Sequence, residues 1–404
     1  MKKYFFIVTT LSAALFAEEP IAPVAEEAAG PPPSLTGEWN GRRTKLRDKG
    51  IEIIPSLIWD DTWNLHGGKK NSGKGIIEYN FDLKLWIHSE PLFHYSGGTL
   101  LAEFTCHHGR SPSHIDVGSF MHIDTIEAPP FNALYALWYK QEFQDDRYWF
   151  LVGKSDAYDS FTTTAHSLFF LNNGYSSDPT ILFFPSYPDP AMSVVASIGF
   201  LKNMSVTLGV FDGSSATGAD TGKHGVFGDF FKDLPAHAFL IGEFNATWLS
   251  DSYPGRFGLG GWRSTATFTR FNGSKTKGTG GPYVTIDQTF YKSKKQEAGC
   301  FFIYSSANPS ISEAHRYFGA GVTGKGLVPY RENDIIGIGM SRANFTNNPA
   351  AGFTENYEAS YEIFYLIQYS GWGSLQPDFQ YVVNPGGKGL PNASVLTLRL
   401  TVSF

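Results

Sequence analysis

No stretch of this sequence approaches the ~18 consecutive apolar residues that a membrane-spanning helix needs, so a bilayer could be crossed only by strands. Cysteine is nearly absent. The two present, Cys106 and Cys300, lie far apart and offer no disulfide framework. A basic excess is also missing: Lys and Arg total 32 against 38 Asp and Glu, a net charge of −6 that argues against nucleic acid as a partner. No composition break divides the chain after Leu35, which favours one large domain over two or three. Catalytic and cofactor signatures are lacking too. Asp156, Ser160 and His166 have the residue types of a hydrolytic triad, but no G-x-S-x-G elbow surrounds Ser160. The glycine-rich pieces Gly278–Gly281 and Gly319–Gly326 lack phosphate-loop spacing and read as turns. Cys106, His107, His108 and His114 resemble metal ligands, yet on a strand Cys106 and His107 point to opposite faces. The reading is therefore no enzyme, no cofactor and no metal.

What the chain does have is apolar residues interleaved with polar ones. Aromatics make up 16%, glycine is abundant at 43 residues, and mean hydropathy is −0.19. The last ten residues show the pattern most plainly: Leu396, Leu398, Leu400, Val402 and Phe404 alternate with Thr397, Arg399, Thr401 and Ser403. Side chains of a strand alternate faces, so one face here is apolar and the other polar. A soluble sandwich could supply a dry and a wet side. An outer-membrane barrel supplies them as lipid and lumen, with no free edge.

The beginning of the chain favours export. Met1-Lys2-Lys3, the apolar run Tyr4–Phe16 and Ala17 read as a secretory signal peptide over residues 1–17. Losing Lys2 and Lys3 takes the net charge from −6 to −8. Residues 18–34 are acidic and Pro-rich and predict a flexible periplasmic arm. Residues 35–50 predict a short basic helix, capped by Asn40 and stopped by Gly50, at the barrel mouth or inside the lumen.

From Ile51 to Phe404 the spacing predicts strand after strand. In 77–88, Ile77, Tyr79, Phe81, Leu83, Leu85 and Ile87 alternate with Glu78, Asn80, Asp82, Lys84, Trp86 and His88. Further strands are expected at 51–60, 100–107, 132–143, 147–155, 191–201, 203–212, 236–249, 257–270, 282–292, 297–306, 314–323, 333–344, 357–369, 374–384 and 395–404, with a weaker candidate at 117–125. Bacterial single-chain barrels close with even strand numbers, so the expected fold class is an all-β antiparallel transmembrane barrel of sixteen strands. Both cysteines fall on apolar parities and read as small lipid-facing side chains. Long connections are expected at 156–190 and 213–235, and the aromatic-rich 156–190 is the candidate to fold into the pore.

Two terminal motifs carry a family resemblance. L-Q-P-D-F-Q-Y-V-V-N-P-G-G, from Leu375 to Gly387, with the final strand after it closely resembles the C-terminal signature of the OprB family of carbohydrate-selective porins. The stretch L-T-G-E-W-N-G-R-R-T-K-L-R-D-K-G-I from Leu35 is similar to that family's N-terminal signature, and V-G-K-S-D-A-Y-D-S-F and F-P-S-Y-P-D-P resemble its central region more loosely. The resemblance implies a sixteen-stranded barrel in the outer membrane of a Gram-negative-type bacterium, passing small hydrophilic solutes, classically sugars. It also implies outer-membrane lipid and the assembly machinery as partners, with Phe404 as the assembly signal, and is compatible with a homo-oligomer. A branch of the family, the AaxA-type porins, is associated with arginine uptake, and both solutes stay open. Structural or adhesive barrels are the remaining class.

The polar faces supply the candidate pore lining: Glu78, Asp82, Lys84, Trp86, Glu103, His107, Glu358, Glu362 and Arg399. Across all expected inward positions, Glu78, Asp82, Glu103, Glu243, Asp287, Glu358, Glu362 and Asp378 outnumber Lys84, Lys140, Arg263 and Arg399. Carboxylates spaced along a lumen favour cations. The competing reading pairs these acids with bases on neighbouring strands.

Overall fold

A computed structural model describes residues 34–144, 147–176, 178–223, 237–248 and 253–404. The expected signal peptide at 1–17 and residues 18–33 of the arm lie outside the described residues. Sixteen antiparallel strands close into one barrel in chain order. They are β1 Ile51–His66, β2 Ile76–His88, β3 Gly98–Gly109, β4 Phe131–Phe143, β5 Tyr148–Ser155, β6 Ala191–Leu201, β7 Met204–Asp212 and β8 Ala238–Trp248. The second half comprises β9 Gly255–Thr269, β10 Lys275–Lys292, β11 Glu297–Ser306, β12 Ala314–Lys325, β13 Ile335–Phe345, β14 Tyr357–Ser370, β15 Gly373–Val383 and β16 Ala393–Ser403. The seam joins β1 to β16, with Asp60 opposite Arg399 and Trp59 opposite Leu400.

Alternation decides which way each strand turns. On β2, Ile77 and Leu83 are 43% and 39% exposed to the outside, while Glu78 and Asp82 between them are 1% and 3% exposed. The same parity puts Phe104 outside and Glu103, Thr105 and His107 inside on β3. In water this outer surface would be a large apolar patch; against lipid it is matched.

The two rims differ in the length of their connections. The rim carrying Leu35 and Phe404 has tight turns such as 202–203 and 371–372, whereas the opposite rim carries 110–130, 156–190 and 213–237. Short turns face the periplasm and long loops face outward in outer-membrane barrels, which orients the molecule. The segment 156–190 folds into the lumen as its aromatics imply, burying Phe161, Phe170 and Tyr175. Of the connection expected at 213–235, residues 224–235 lie outside the described residues.

Two local expectations are corrected. The stretch 117–125 is no strand: it follows a helical turn at Ser113–Val117 and packs inside the barrel, burying Val117, Met121 and Ile123. Its apolar residues are spaced like a strand's because it too has a dry side, supplied by the barrel wall. The N-terminal helix α1 spans Arg42–Arg47 and is capped by Gly41, not Asn40. Trp39 and Asn40 both take positive φ, at 50° and 57°, so the chain enters α1 through a left-handed turn in which the Asn40 side chain caps nothing. Gly50, at φ 77°, closes the other end by donating 2.7 Å to the Arg47 carbonyl. The helix lies at the rim that carries Phe404, against β1.

Candidate functional site: the lumen and its inner segments

All the candidate lining residues on β2, β3, β14 and β16 lie on the inward parity of their strands. What they meet there is protein. Glu358 accepts backbone N–H groups from Phe120 at 2.7 Å, Met121 at 2.8 Å and Gly386 at 2.5 Å. Glu362, four residues farther along β14 on the same face, accepts from Leu171 at 2.6 Å and Asn172 at 3.1 Å. Each carboxylate thus holds one of the two inner segments to the wall.

Two other wall acids do the same for 156–190. Asp287 of β10 accepts from the N–H groups of Ala165 at 2.6 Å and His166 at 3.1 Å. Glu243 of β8 accepts from the N–H of Thr162 at 3.0 Å and pairs with Arg256 of β9. Successive amides in an irregular segment must find acceptors once buried, and a carboxylate takes two at a time. These contacts are charge-assisted and worth roughly 1.5–3 kcal/mol each when both partners are buried.

Arg399 serves the other segment. It bonds Asp60 across the seam at 2.8 Å and reaches Asp124 at 2.6 Å and the Thr125 hydroxyl at 3.2 Å in 110–130. Gln380 donates 2.7 Å to the Ile123 carbonyl, and Gln376 donates 2.8 Å to that of Phe169. Asp82 is bonded by Asn80 and Thr105, and Lys84 stands 3.8 Å from Glu103 on the next strand. His107 Nε2 lies 3.0 Å from the Ala128 carbonyl and 4.0 Å from Glu78, whose oxygens meet no hydrogen-bond donor among the described residues. Trp86 sits edge-on to Trp138 at 5.6 Å. Cys106 faces outward as its parity implies, on the opposite face from His107.

The inner segments carry their own buried acids. Burial pushes Glu127 up to about 7, with the neighbouring Asp124 charge adding to it, while the Ser111 and Ser113 hydroxyls and the Ser113 N–H pull it back. Burial likewise raises Asp156, which the Tyr135 hydroxyl and the N–H groups of Tyr158 and Tyr187 stabilise as the anion. Burial lowers His122 and His166, against the pull of Asp124 and Asp287 respectively.

One expected lining residue faces the other way. Arg263 is exposed on the outer surface, because Trp262, Ser264, Ala266 and Phe268 take the inward positions of β9. Nearer the periplasmic rim, Lys140 lies 4.8 Å over the ring of Trp149 and pairs with Glu142.

A family model described as carbohydrate-selective porin, OprB family, matches residues 70–404. The chain belongs to this family. It is 21% identical over 419 residues to Porin B of Pseudomonas aeruginosa, an alignment covering 92% of this chain and 91% of that one. Among solved structures, Pseudomonas putida OprB at high pH superposes with a TM-score of 0.84 at 19% identity, covering 93% of this chain and all (100%) of the other. Salmonella typhi OmpF, solved with daunomycin, gives 0.56 at 10% identity, covering 89% and 99%. The protein is an outer-membrane porin: a sixteen-stranded barrel of a family and fold that are diffusion channels.

In this porin the residues that strand parity did not reveal are the anchoring partners. Asp124, Thr125 and Glu127 lie in 110–130, a segment whose apolar spacing resembles a strand's. Backbone donors such as those of Phe120 and Leu171 carry no sequence signature at all. The usable signal was the surplus of inward carboxylates, which had to be matched by something.

Proposed function

We propose that this porin conducts small neutral hydrophilic solutes, carbohydrates above all, by facilitated diffusion past a lining of paired charges and indole. The observation that carries this reading is the use to which the wall carboxylates are put. Glu358, Glu362 and Asp287 spend their oxygens on backbone N–H groups, so they form no ladder of free anions for a cation. Two neutralised pairs supply water-accessible charge on the inward face. Lys140 and Glu142 are 14% and 29% exposed, and Arg256, 26% exposed, is paired with Glu243. Such pairs offer donors and acceptors together, which suits hydroxyl groups, and Trp86 adds an apolar edge for the ring faces of a sugar.

The arginine reading draws on Glu78 and Asp82, and it is the weaker one: Asp82 is already bonded by two neighbours and Glu78 lies beneath His107 and the inner segment. Swelling of liposomes carrying the purified porin separates the two. Glucose-sized sugars are expected to enter at least as fast as arginine at equal concentration, and the E78Q/D82N double variant to leave both rates within about twofold. Faster arginine entry, lost selectively in that variant, would overturn the carbohydrate reading.

A further inference from the structure

The outer surface of the barrel holds a second polar feature that solute passage does not use. On β9, β10, β12 and β13 the outward positions run apolar from the periplasmic side and then change character. Leu259 gives way to Gly261 and Arg263 on β9; Ile286, Val284 and Pro282 give way to Lys277 and Lys275 on β10. Phe318 gives way to Arg316 on β12, and Ile338 and Met340 to Arg342 on β13. The registers confirm a shared face: Lys277 is opposite Thr267, Gly280 opposite Arg263, Ser306 opposite Arg316 and Phe318 opposite Arg342. Five cations therefore line the upper edge of the apolar band over neighbouring strands, where lipid headgroups of the outer leaflet begin. From β9 to β13 is four strand spacings, about 19 Å at ~4.8 Å each.

This clustering is one-sided. The outward positions of β1, β2, β6, β7, β8, β14, β15 and β16 carry no Lys or Arg. The patch also lacks internal neutralisation: Glu313 and Glu355, in the adjoining rim connections, form no ion pair with any of the five among the described residues. Two of the cations are held in place. The Arg263 guanidinium lies across the positive-φ Gly278, where a Cβ would come within 3.1 Å of Nη2, and this bulge sets it beside Lys277. Arg342 is stacked 3.9 Å over the Tyr357 ring and bonds Asn344 through Nε at 3.1 Å.

We infer that this face binds the phosphorylated headgroup of an outer-leaflet glycolipid. Arg263, Lys277 and Arg316 contact its phosphates, and Leu259, Phe318 and Ile338 below them pack on its acyl chains. Charge complementarity selects this occupant: fixed cations at headgroup depth above an apolar surface match a ligand with phosphate on top and hydrocarbon beneath. A soluble anion would gain nothing from the apolar strip, and a second copy packed two-fold on the same strip would bring like charge to like charge.

Native mass spectrometry of the detergent-purified porin, titrated with bisphosphorylated lipid A and with the same lipid dephosphorylated, tests this. One copy of the phosphorylated lipid is expected to be retained, with half-saturation at least tenfold lower than for the dephosphorylated form. The R263Q/K277Q/R316Q variant should lose at least tenfold of that preference, while K69Q/K70Q, altered in the first outer connection, should keep it. Heat-modifiable migration checks that each variant is folded, and the wild-type comparison of the two lipids stands without any variant. Equal retention of both lipids, an unchanged triple variant, or full displacement by millimolar inorganic phosphate would overturn the assignment.

Discussion

Arg43 donates 2.6 Å to the main-chain oxygen of Phe404 and 2.9 Å to the carbonyl of Ile53, so one buried guanidinium in α1 ties Phe404 to the first strand. Around it the Phe404 N–H donates 2.9 Å to the Pro55 carbonyl and the Leu35 N–H donates 2.9 Å to that of Ser403. The guanidinium also stacks 4.6 Å over Trp39. Replacing Arg43 by Met keeps the stem but leaves these main-chain oxygens without their charged donor. The expected cost is about 1.5–3 kcal/mol, read as a lower temperature for loss of heat-modifiable migration with barrel content unchanged. An unchanged transition would show that the seam holds without α1.

Phe404 itself sits at the periplasmic end of β16, where an aromatic side chain suits the membrane interface. We propose that it also serves as the signal for insertion. Deleting it or substituting Asp should lower the amount of folded porin in outer membranes several-fold. The R43M variant should not, since it leaves the terminal aromatic in place. Equal yields from all three would remove Phe404 from that role.

Glu358 and Glu362 are expected to govern pore size before ion preference. Changing both to Ala removes acceptors from five backbone N–H groups in or beside the inner segments. The segments should then loosen, raising single-channel conductance and its noise while the reversal potential in a salt gradient moves little. A reversal potential shifted toward anions at constant conductance would instead mark these residues as a charge filter.

Much of this architecture is legible in period-two alternation, because a strand between lipid and an aqueous lumen has no other way to satisfy both sides. β2 carries that pattern most fully, and β3, β14 and β16 carry it over most of their length, with Leu101, Phe364, Leu366 and Val395 as apolar residues on the inward face, so their facing follows directly. Legibility fails where alternation is broken or imitated. In β9, Gly258, Gly260 and Gly261 leave too few side chains to set the parity, and Arg263 is then misplaced. In 110–130, Val117, Met121 and Ile123 imitate a strand because the lumen wall is itself a surface to pack against. The role of Glu358 and Glu362 could not be read from their own strand, since their partners are main-chain amides of other segments: Phe120, Met121, Leu171 and Asn172 in the inner segments and Gly386 beyond β15.

Glu127 makes the attachment of the 110–130 segment sensitive to pH. Its carboxylate accepts from the Ser113 hydroxyl at 2.5 Å, the Ser113 N–H at 3.2 Å and the Asp124 N–H at 3.3 Å, and it is bonded by Ser111 as well. Burial, with the adjacent Asp124 charge, sets its folded value at about 7 against an ordinary 4.5. The folded state therefore binds the proton more tightly than the unfolded chain. Its contribution to stability is fully present below about 4.5 and is lost as pH rises through about 7. Thermal transitions of the wild-type porin should fall between pH 5 and pH 8, and open-channel fluctuations should grow over the same interval. In E127Q the amide cannot ionise, so both dependences should flatten while the transition at pH 5 stays close to that of the wild type. Identical pH profiles for E127Q and wild type would assign the effect to other buried acids, with Asp156 the next to replace.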